Sequence, residues 1–224
     1  MTKNQPPRLN WRNDEIPVSV HFDDPYFSLE GGLAETRHVF LAGNALPERF
    51  KDGFHIAELG FGTGLNMFTT LLSWRAAGLK TRLKFTSFEA YPLTAQDMEK
   101  ALSAFPEARA IADPILNAWA KGETQIMLED LDLTVVIGDA RTTLPDWDHM
   151  ADAWFLDGFS PAKNPELWED PLLQSVGDHT CAGGTFATYT AAGFVRKGLT
   201  NAGFTVTREK GFGRKRHMST GVKL

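Results

Sequence analysis

The feature that most constrains the fold is a regular alternation of apolar, β-rich runs with helical patterns from Phe54 onward. This alternation is typical of an α/β protein, in which helices cover a mostly parallel sheet. The predicted strands are Phe54–Leu59, Lys84–Phe88, Thr134–Ile137, Ala153–Leu156 and Thr185–Thr188. The predicted helices are Gly64–Ala77, Leu93–Phe105, Glu107–Ala120, Leu167–Val176 and Ala191–Ala202.

Two segments depart from this alternation. Gln125–Leu128 and Leu131–Ile137 flank a short acidic turn and predict a hairpin. Thr205–Arg208 and His217–Val222 predict an antiparallel pair that closes the sheet. A mostly parallel, Rossmann-like sheet with an antiparallel C-terminal edge is therefore expected.

The first 50 residues are expected to form an N-terminal extension that caps the sheet, with residues 51–224 as the main domain. Within the extension, the turn signal Asp23-Asp24-Pro25 precedes Gly31-Gly32, which leads into a helical pattern through Leu41. A chain of 224 residues can bury one substantial core and has little left for a second domain.

Composition argues against a secreted, membrane-spanning, disulfide-bonded or metal-binding protein. Hydrophobic residues make up 42% and charged residues 23%, as in ordinary globular proteins. The first twenty residues contain no apolar signal region, and no apolar run reaches the length of a membrane span, so we expect a cytoplasmic protein. Cys181 is alone and cannot form an intrachain disulfide, and the six histidines are scattered, so no metal site is predicted.

A glycine-rich turn follows the first predicted strand and opens the next helix, at Gly60, Gly62 and Gly64. Glycines in this context permit unusual φ angles and close approach of the backbone to a cofactor. The dinucleotide fingerprint requires a glycine or alanine where Leu65 stands, which disfavours an NAD-dependent oxidoreductase.

Acidic side chains stand near the ends of three successive strands. Glu58 precedes the glycine turn, where a carboxylate suits the ammonium and sulfonium of S-adenosylmethionine better than a pyrophosphate. Glu89 stands where it can bind both ribose hydroxyls, and Asp139 where it can reach the adenine amino group. Each acid alone is equally compatible with a helix cap or a surface carboxylate. Together with Asn66, which follows the turn, they predict an S-adenosylmethionine site.

The fourth strand delivers the loop Asp157–Pro165 to the same edge of the sheet. An acid followed by a glycine, an aromatic residue and a proline makes a rigid loop, in the place where amino-methyltransferases hold the acceptor nitrogen. A primary alkylamine has a pKa of about 10.4, so it binds as a cation and must lose a proton before it attacks. Asp157, at the border of the cofactor site, is therefore the predicted catalytic residue, either as orienter or as base.

Residues around this loop are candidate substrate contacts. Phe159 is predicted to stack on a base, whereas Trp168 is predicted to fill core. Lys163 either contacts a phosphate or caps the loop.

The charge is unevenly distributed along the chain. The net charge is −5, yet eight basic residues oppose one acid from Arg196 to the C-terminus. This concentration is either a phosphate-binding surface or a solvated face. The predicted phosphate contacts within it are Arg214, Lys215 and Arg216.

Several motifs together resemble the family formed by the methyltransferase part of MnmC and the standalone MnmD proteins. The resemblance covers nearly the whole chain. Besides the glycine turn and the pair Phe88-Glu89, it is carried by Phe22–Ser28, Glu35–Phe40, Asp157–Pro165, Ala191–Lys197 and Gly211–Met218.

The resemblance implies a class I methyltransferase fold and methylation of the amine of 5-aminomethyl-2-thiouridine, the wobble base in the tRNA anticodon. It also implies that a FAD-dependent oxidase, on a longer chain or as a separate enzyme, supplies the amine. The alternatives are a methyltransferase for another amine, such as a small molecule or protein lysine, and a noncatalytic RNA-binding module. The second alternative is disfavoured because a pure binder has no need of all four acids at this edge.

Overall fold

The computed structural model of the protein describes residues 6–28 and 31–224, so residues 1–5 and 29–30 of the expected N-terminal extension lie outside it. The extension contains a small antiparallel sheet of three strands: Leu9–Arg12 (β1), Ile16–Ser19 (β2) and Asp24–Pro25 (β3). These strands were not predicted, because two to four residues carry too little periodicity to indicate a strand.

The helical pattern that follows the small sheet is present but irregular. It consists of an α-helix, a π-helical turn and a 3₁₀ turn in direct succession: Gly32–Thr36 (α1), Arg37–Leu41 and Ala42–Asn44. The predicted end of the helical pattern at Leu41 therefore falls one short turn early.

The main sheet contains eight strands, and helices connect most of them. The strands are His55–Leu59 (β4), Leu83–Glu89 (β5), Gln125–Met127 (β6), Leu131–Ile137 (β7), Ala151–Leu156 (β8), Thr180–Thr188 (β9), Phe204–Lys210 (β10) and His217–Lys223 (β11). The helices are Leu65–Ala76 (α2), Ala95–Leu102 (α3), Pro106–Arg109 (α4), Asp113–Ala120 (α5), Ala140–Thr143 (α6), Asp170–Asp178 (α7) and Gly193–Asn201 (α8), with a 3₁₀ turn at Pro165–Trp168.

The strand order β10-β11-β9-β8-β4-β5-β7-β6 confirms the expected topology. The pairs β9–β8, β8–β4, β4–β5 and β5–β7 are parallel, whereas β6 pairs antiparallel with β7 and β11 pairs antiparallel with both β9 and β10. Both predicted antiparallel edges are thus present.

Two predicted helices are divided by proline. The segment predicted as one helix over Glu107–Ala120 forms α4 and α5, and α5 has Pro114 in its first turn. Similarly, Pro171 lies in the first turn of α7, after the separate 3₁₀ turn. Proline lacks a backbone N–H and suits the first helical turn, where that donor has no partner within the helix, so it marks a new start.

The central strands are buried on both faces of the sheet. Ile56, Ala57 and Leu59 of β4 have at most 1% of their surface exposed, and Trp154 of β8 has none. Parallel strands covered by helices on both faces are expected to be apolar throughout. Their carboxyl ends meet at one edge of a rigid core, which positions the loops that follow. In the described part of the chain, no helix is long and apolar enough to cross a bilayer.

Candidate active site

A cavity of about 630 Å³ lies at the carboxyl edge of the central strands. The loops after β4, β5, β7 and β8 form its floor, and segments of the N-terminal extension and of the β10–β11 hairpin form its walls. Ten of the predicted site residues line it: Gly60, Gly62, Asn66, Glu89, Asp139, Asp157, Phe159, Lys163, Arg214 and Lys215. Three do not line it: Glu58, Gly64 and Arg216.

The glycine turn is bonded to the strands on either side of it. Gly60 has a φ of +90°, and its N–H donates to the carbonyl of Phe88 at 2.9 Å. A Cβ atom at Gly60 would overlap the backbone carbonyl oxygen of Asp157. The N–H of Gly62 donates to Oε2 of Glu89 at 3.0 Å. The turn is therefore hydrogen-bonded to the end of β5 and to Glu89, and it lies close to the backbone of Asp157.

Gly64 has a different part in this turn. Its φ is +75° at the N-cap of α2, and a Cβ there would lie 3.2 Å from the rings of Phe61 and Phe68. Gly64 therefore permits the tight start of α2, and its contact with the cofactor stays a prediction.

The side chain of Asn66 connects the acids of the site. Its Nδ2 donates to Oε1 of Glu58 at 2.9 Å and to Oδ2 of Asp157 at 2.7 Å. Its Oδ1 accepts a hydrogen bond from Oγ1 of Thr36 at 2.7 Å, and the other oxygen of Glu58 accepts from Ser87 at 2.7 Å. The Asn66 amide is held by Thr36 and Glu58, and Glu58 is held in turn by Ser87. This buried network therefore orients the Asp157 carboxylate through its hydrogen bond with Asn66.

Glu58 lies one layer below the cavity, where its surface is fully buried. Glu58 reaches the cavity through Asn66, and its direct contact with a cofactor cation stays a prediction. Burial raises the pKa of Glu58 well above its usual range, against the opposing effect of its hydrogen bonds to Ser87 and Asn66.

Asp157 is the acid at the floor of the cavity. Burial raises its pKa to about 7, the hydrogen bond from Asn66 opposes this, Glu35 raises it further, and Lys215 lowers it. The pKa of Glu89 is also raised, chiefly by burial. Carboxyls crowded into a low-dielectric site favour any ligand that brings positive charge.

The raised pKa of Asp157 predicts a pH-dependent cost to stability. A carboxyl whose pKa is higher in the folded than in the unfolded protein stabilises the fold below about pH 4, and this contribution is lost as the pH rises through about 7. Asp157→Asn is therefore expected to stabilise the ligand-free protein at pH 8 by about 2 kcal/mol, a value reduced because the carboxyl borders an open cavity.

Denaturant unfolding at pH 4.5 and pH 8 checks this expectation. Asp178→Asn, an exposed carboxylate on α7, is the matched control and should change stability little at either pH. An equal effect of Asp157→Asn at the two pH values would contradict the assignment of a raised pKa.

Glu89 and Asp139 bind backbone groups as well as lining the cavity. Oε1 of Glu89 accepts from the N–H of Tyr91 at 2.6 Å. Asp139 caps α6 by accepting from the N–H of Arg141 at 3.0 Å, and the guanidinium of Arg141 bonds both of its oxygens. Asp139 therefore caps α6 and also lines the cavity, so its position is compatible with both roles considered from the sequence, helix cap and ligand contact.

The loop after β8 is attached to the N-terminal extension. The N–H of Ser160 donates to Oδ2 of Asp24 at 2.9 Å. The ammonium of Lys163 donates to the backbone carbonyl of Asp23 and lies 3.5 Å from Oδ1 of Asp24. Of the two roles considered for Lys163, the structure supports fixing the loop, because its charge is already paired.

Phe159 packs against aromatic rings of the extension. Its ring stacks on Phe22, with centroids 4.7 Å apart, and meets the edge of Tyr26 at 5.0 Å. Phe159 therefore has two aromatic neighbours within the protein, and its stacking on a base stays a prediction. Trp168 is buried, as predicted, and its indole N–H donates to the carbonyl of Phe159 at 3.0 Å.

The three basic residues predicted to bind phosphate lie in different places. Arg214 lines the cavity, and Arg216 is exposed outside it. The ammonium of Lys215 lies 2.9 Å from Oε1 of Glu35 and 4.0 Å from the centroid of the Tyr189 ring. Lys215 is therefore paired at the border of the cavity, and its contact with a phosphate stays a prediction.

Sequence reasoning missed Glu35, Thr36 and Tyr189 as site residues. Tyr189 directly follows β9, and its hydroxyl donates to the carbonyl of Gly158 at 2.7 Å. Burial raises its pKa well above the usual range, which keeps the hydroxyl as a donor. The only available signals were the position of Tyr189 after a strand at the active edge and the presence of Glu35-Thr36 in one of the family motifs.

Comparisons with known proteins agree with this geometry. Residues 106–224 match the family model Methyltransf_30, described as an S-adenosyl-L-methionine-dependent methyltransferase. The chain is 44% identical to the tRNA 5-methylaminomethyl-2-thiouridine biosynthesis bifunctional protein MnmC of Leptospira borgpetersenii serovar Hardjo-bovis (strain JB197), over 95% of this chain and 34% of that protein. It is 45% identical to the protein of the same name from Caulobacter vibrioides, over 96% of this chain and 38% of that protein.

Solved structures give the same result for the fold. The crystal structure of MNMC2 from Aquifex aeolicus matches with a TM-score of 0.79 and 27% identity, over 97% of this chain and 70% of that one. Precorrin-6y C5,15-methyltransferase from Geobacter metallireducens GS-15 matches with a TM-score of 0.54 and 14% identity, over 96% and 98% of the two chains, and shows the shared fold alone. The chain spans about a third of the length of the curated relatives named above.

Proposed function

Because the chain belongs to the Methyltransf_30 family of S-adenosyl-L-methionine-dependent methyltransferases, we propose that it methylates the primary amine of 5-aminomethyl-2-thiouridine at the wobble position of tRNA. The product is then 5-methylaminomethyl-2-thiouridine. The observation that carries this proposal is the anchored acid at the cavity floor: Asp157 is held by Asn66 beside a glycine turn, and its pKa of about 7 suits proton transfer at neutral pH.

The residues of the cavity fit the cofactor. Gly60 and Gly62 line the cavity with positive φ angles, so this turn presents backbone rather than side chains to a ligand. Glu89 is the proposed partner of the ribose hydroxyls, and Asp139 the proposed partner of the adenine amino group. Asn66, held by Glu58, is the proposed contact of the cofactor's amino-acid part, and the Asp157 carboxylate is left for the acceptor amine. When bound, S-adenosylmethionine supplies a methyl group on a positively charged sulfur.

The acceptor amine has to be neutral before it can attack. Transfer of a proton from an amine of pKa about 10.4 to a carboxyl of pKa about 7 is uphill by roughly 4–5 kcal/mol. Asp157 can orient the ammonium and accept its proton directly or through water. The rest of the acceleration comes from holding nitrogen and methyl group in line, which is the role of a rigid loop fixed by Asp24 and Trp168.

The partner we propose is the anticodon region of tRNA. The exposed charges of the β10–β11 hairpin, among them Arg216, are available for its phosphates. A FAD-dependent oxidase, carried on a longer chain or acting as a separate enzyme, would supply the aminomethyl group, and a cytoplasmic location follows from this substrate.

Transfer of labelled methyl from S-adenosylmethionine to tRNA tests the proposal. We expect label on tRNA that bears 5-aminomethyl-2-thiouridine and none on the same tRNA without the aminomethyl group. Label on neither tRNA, with cofactor binding shown by calorimetry, would overturn the tRNA assignment and leave the alternative of another amine substrate.

A further inference from the structure

The structure assigns a new part to Lys215: we propose that its ammonium favours the neutral, reactive form of the acceptor amine in the active site. This inference rests on the proposed function, because it concerns the amine that Asp157 holds. It departs from the sequence-based expectation that Lys215 binds a tRNA phosphate.

Lys215 is held at the cavity by two contacts from other parts of the fold. Its Nζ is 2.9 Å from Oε1 of Glu35, whose side chain is 12% exposed, and it lies over the Tyr189 ring at 4.0 Å. An ammonium on the face of an aromatic ring and beside a half-buried carboxylate is in a favourable place for a positive charge, and 46% of the Lys215 side chain is exposed toward the cavity mouth and solvent. All three residues line the cavity.

This charge lies close to the acid that receives the amine. The Lys215 ammonium lies over the ring of Tyr189. The hydroxyl of the same tyrosine donates a hydrogen bond to the carbonyl of Gly158, the residue next to Asp157. Lys215 lowers the pKa of Asp157 and Glu35 raises it. An amine bound at Asp157 is therefore within reach of the same two charges.

Other charged groups act on Lys215, Tyr189 and Asp157 from the surrounding elements. Glu35 comes from α1, Asp157 from the end of β8, and Asp24, whose charge acts on Tyr189, from the N-terminal turn. On its own hairpin, Arg214 lines the cavity as well. Asp24 is bonded to the N–H of Ser160 and close to Lys163, which leaves Glu35 as the carboxylate that Lys215 neutralises.

Lys215 acts on the substrate amine in two ways, and both lower the pKa of that amine. A nearby positive charge disfavours the ammonium form of the substrate, as in enzymes that lower the pKa of an amine with an adjacent cation. By pairing with Glu35, it also prevents a second carboxylate from stabilising that ammonium. The proton then leaves the substrate nitrogen for water, because the same positive charge lowers the pKa of Asp157 and makes this carboxylate a weaker base, and the lone pair becomes available.

The test is the pH dependence of single-turnover methyl transfer at saturating RNA, for which an anticodon stem-loop bearing the aminomethyl group is the substrate. In Lys215→Met the acid limb of the profile should move to higher pH, so that the rate falls about tenfold at pH 7 and approaches that of the unmodified protein near pH 9.5. Lys215→Arg, which keeps the charge, should restore the original profile.

Two further variants separate charge from structure. Glu35→Gln removes the opposing charge and should move the acid limb in the other direction, to lower pH. Lys121→Met removes an exposed charge after α5 that does not line the cavity, and should leave the limb where it is.

The inference would be overturned if the acid limb of Lys215→Met stays at the original pH, whatever its rate, or if the acid limb of Glu35→Gln does not move to lower pH. Either result would leave the proposed function intact. Absence of transfer by the unmodified protein would overturn both, so the two failures are distinguishable. If Lys215→Met fails to fold, Glu35→Gln alone decides the question.

Discussion

Replacement of Asp157 by asparagine is expected to slow methyl transfer by about 10²–10⁴-fold while cofactor affinity changes little. The asparagine amide is the same size and keeps an oxygen that can accept the hydrogen bond from Asn66. The side chain therefore stays in place, and so does the glycine turn, which contacts the backbone of residue 157. What is lost is the negative charge that orients the ammonium and the site that accepts its proton.

Single-turnover transfer and calorimetric binding of S-adenosylmethionine measure the two effects separately. Asp178→Asn, on the exposed side of α7, serves as the control and should leave both quantities unchanged. Undiminished transfer by Asp157→Asn would remove this residue from the mechanism. A parallel loss of cofactor binding would show instead that Asp157 acts mainly on the cofactor.

Gly60→Ala is expected to have the largest effect on the structure of the site. The residue has a φ of +90°, which is strained for alanine, and the new methyl group would overlap the backbone carbonyl of Asp157. Neither strand can move away easily, because β4 and β8 are paired in the middle of the sheet. We expect a loss of about 2–4 kcal/mol in the free energy of unfolding and a loss of cofactor affinity of at least about tenfold.

A matched control isolates the overlap from the backbone strain. Gly53 has a φ of +74° in the turn before β4, and a Cβ there would meet nothing within 4 Å. Gly53→Ala should therefore cost only about 1 kcal/mol and leave cofactor binding unchanged. Equal destabilisation by the two substitutions would mean that overlap with the Asp157 carbonyl adds nothing to the cost of backbone strain at Gly60.

Local pattern was sufficient for most of the fold. The five parallel strands, the hairpin of β6 and β7 and the antiparallel pair β10–β11 were all predicted, with ends that differ by a few residues. Buried parallel strands produce continuous apolar runs that are easily recognised. The prediction failed where the signal is weak, in the strands of the N-terminal extension and at the prolines that divide two helices.

Part of the candidate site could also be predicted from the sequence, and part could not. Strand order brings Glu89, Asp139 and Asp157 to one edge, and this follows from the rule that ligands bind beyond the carboxyl ends of parallel strands. The same rule does not specify depth, so it failed to distinguish Asn66, at the cavity surface, from Glu58 beneath it.

The sequence by itself determined which chemical groups arrive at the active edge, because strand periodicity and turn glycines act over a few neighbouring residues. Only the tertiary structure decided which of those groups are paired. Lys215 and Glu35 are 180 residues apart in the chain, and Lys163 bonds to an aspartate 140 residues away. Such pairs depend on where distant segments pack. This is why the sequence did not indicate that Lys163 and Lys215 pair with acids of the N-terminal extension at the border of the cavity.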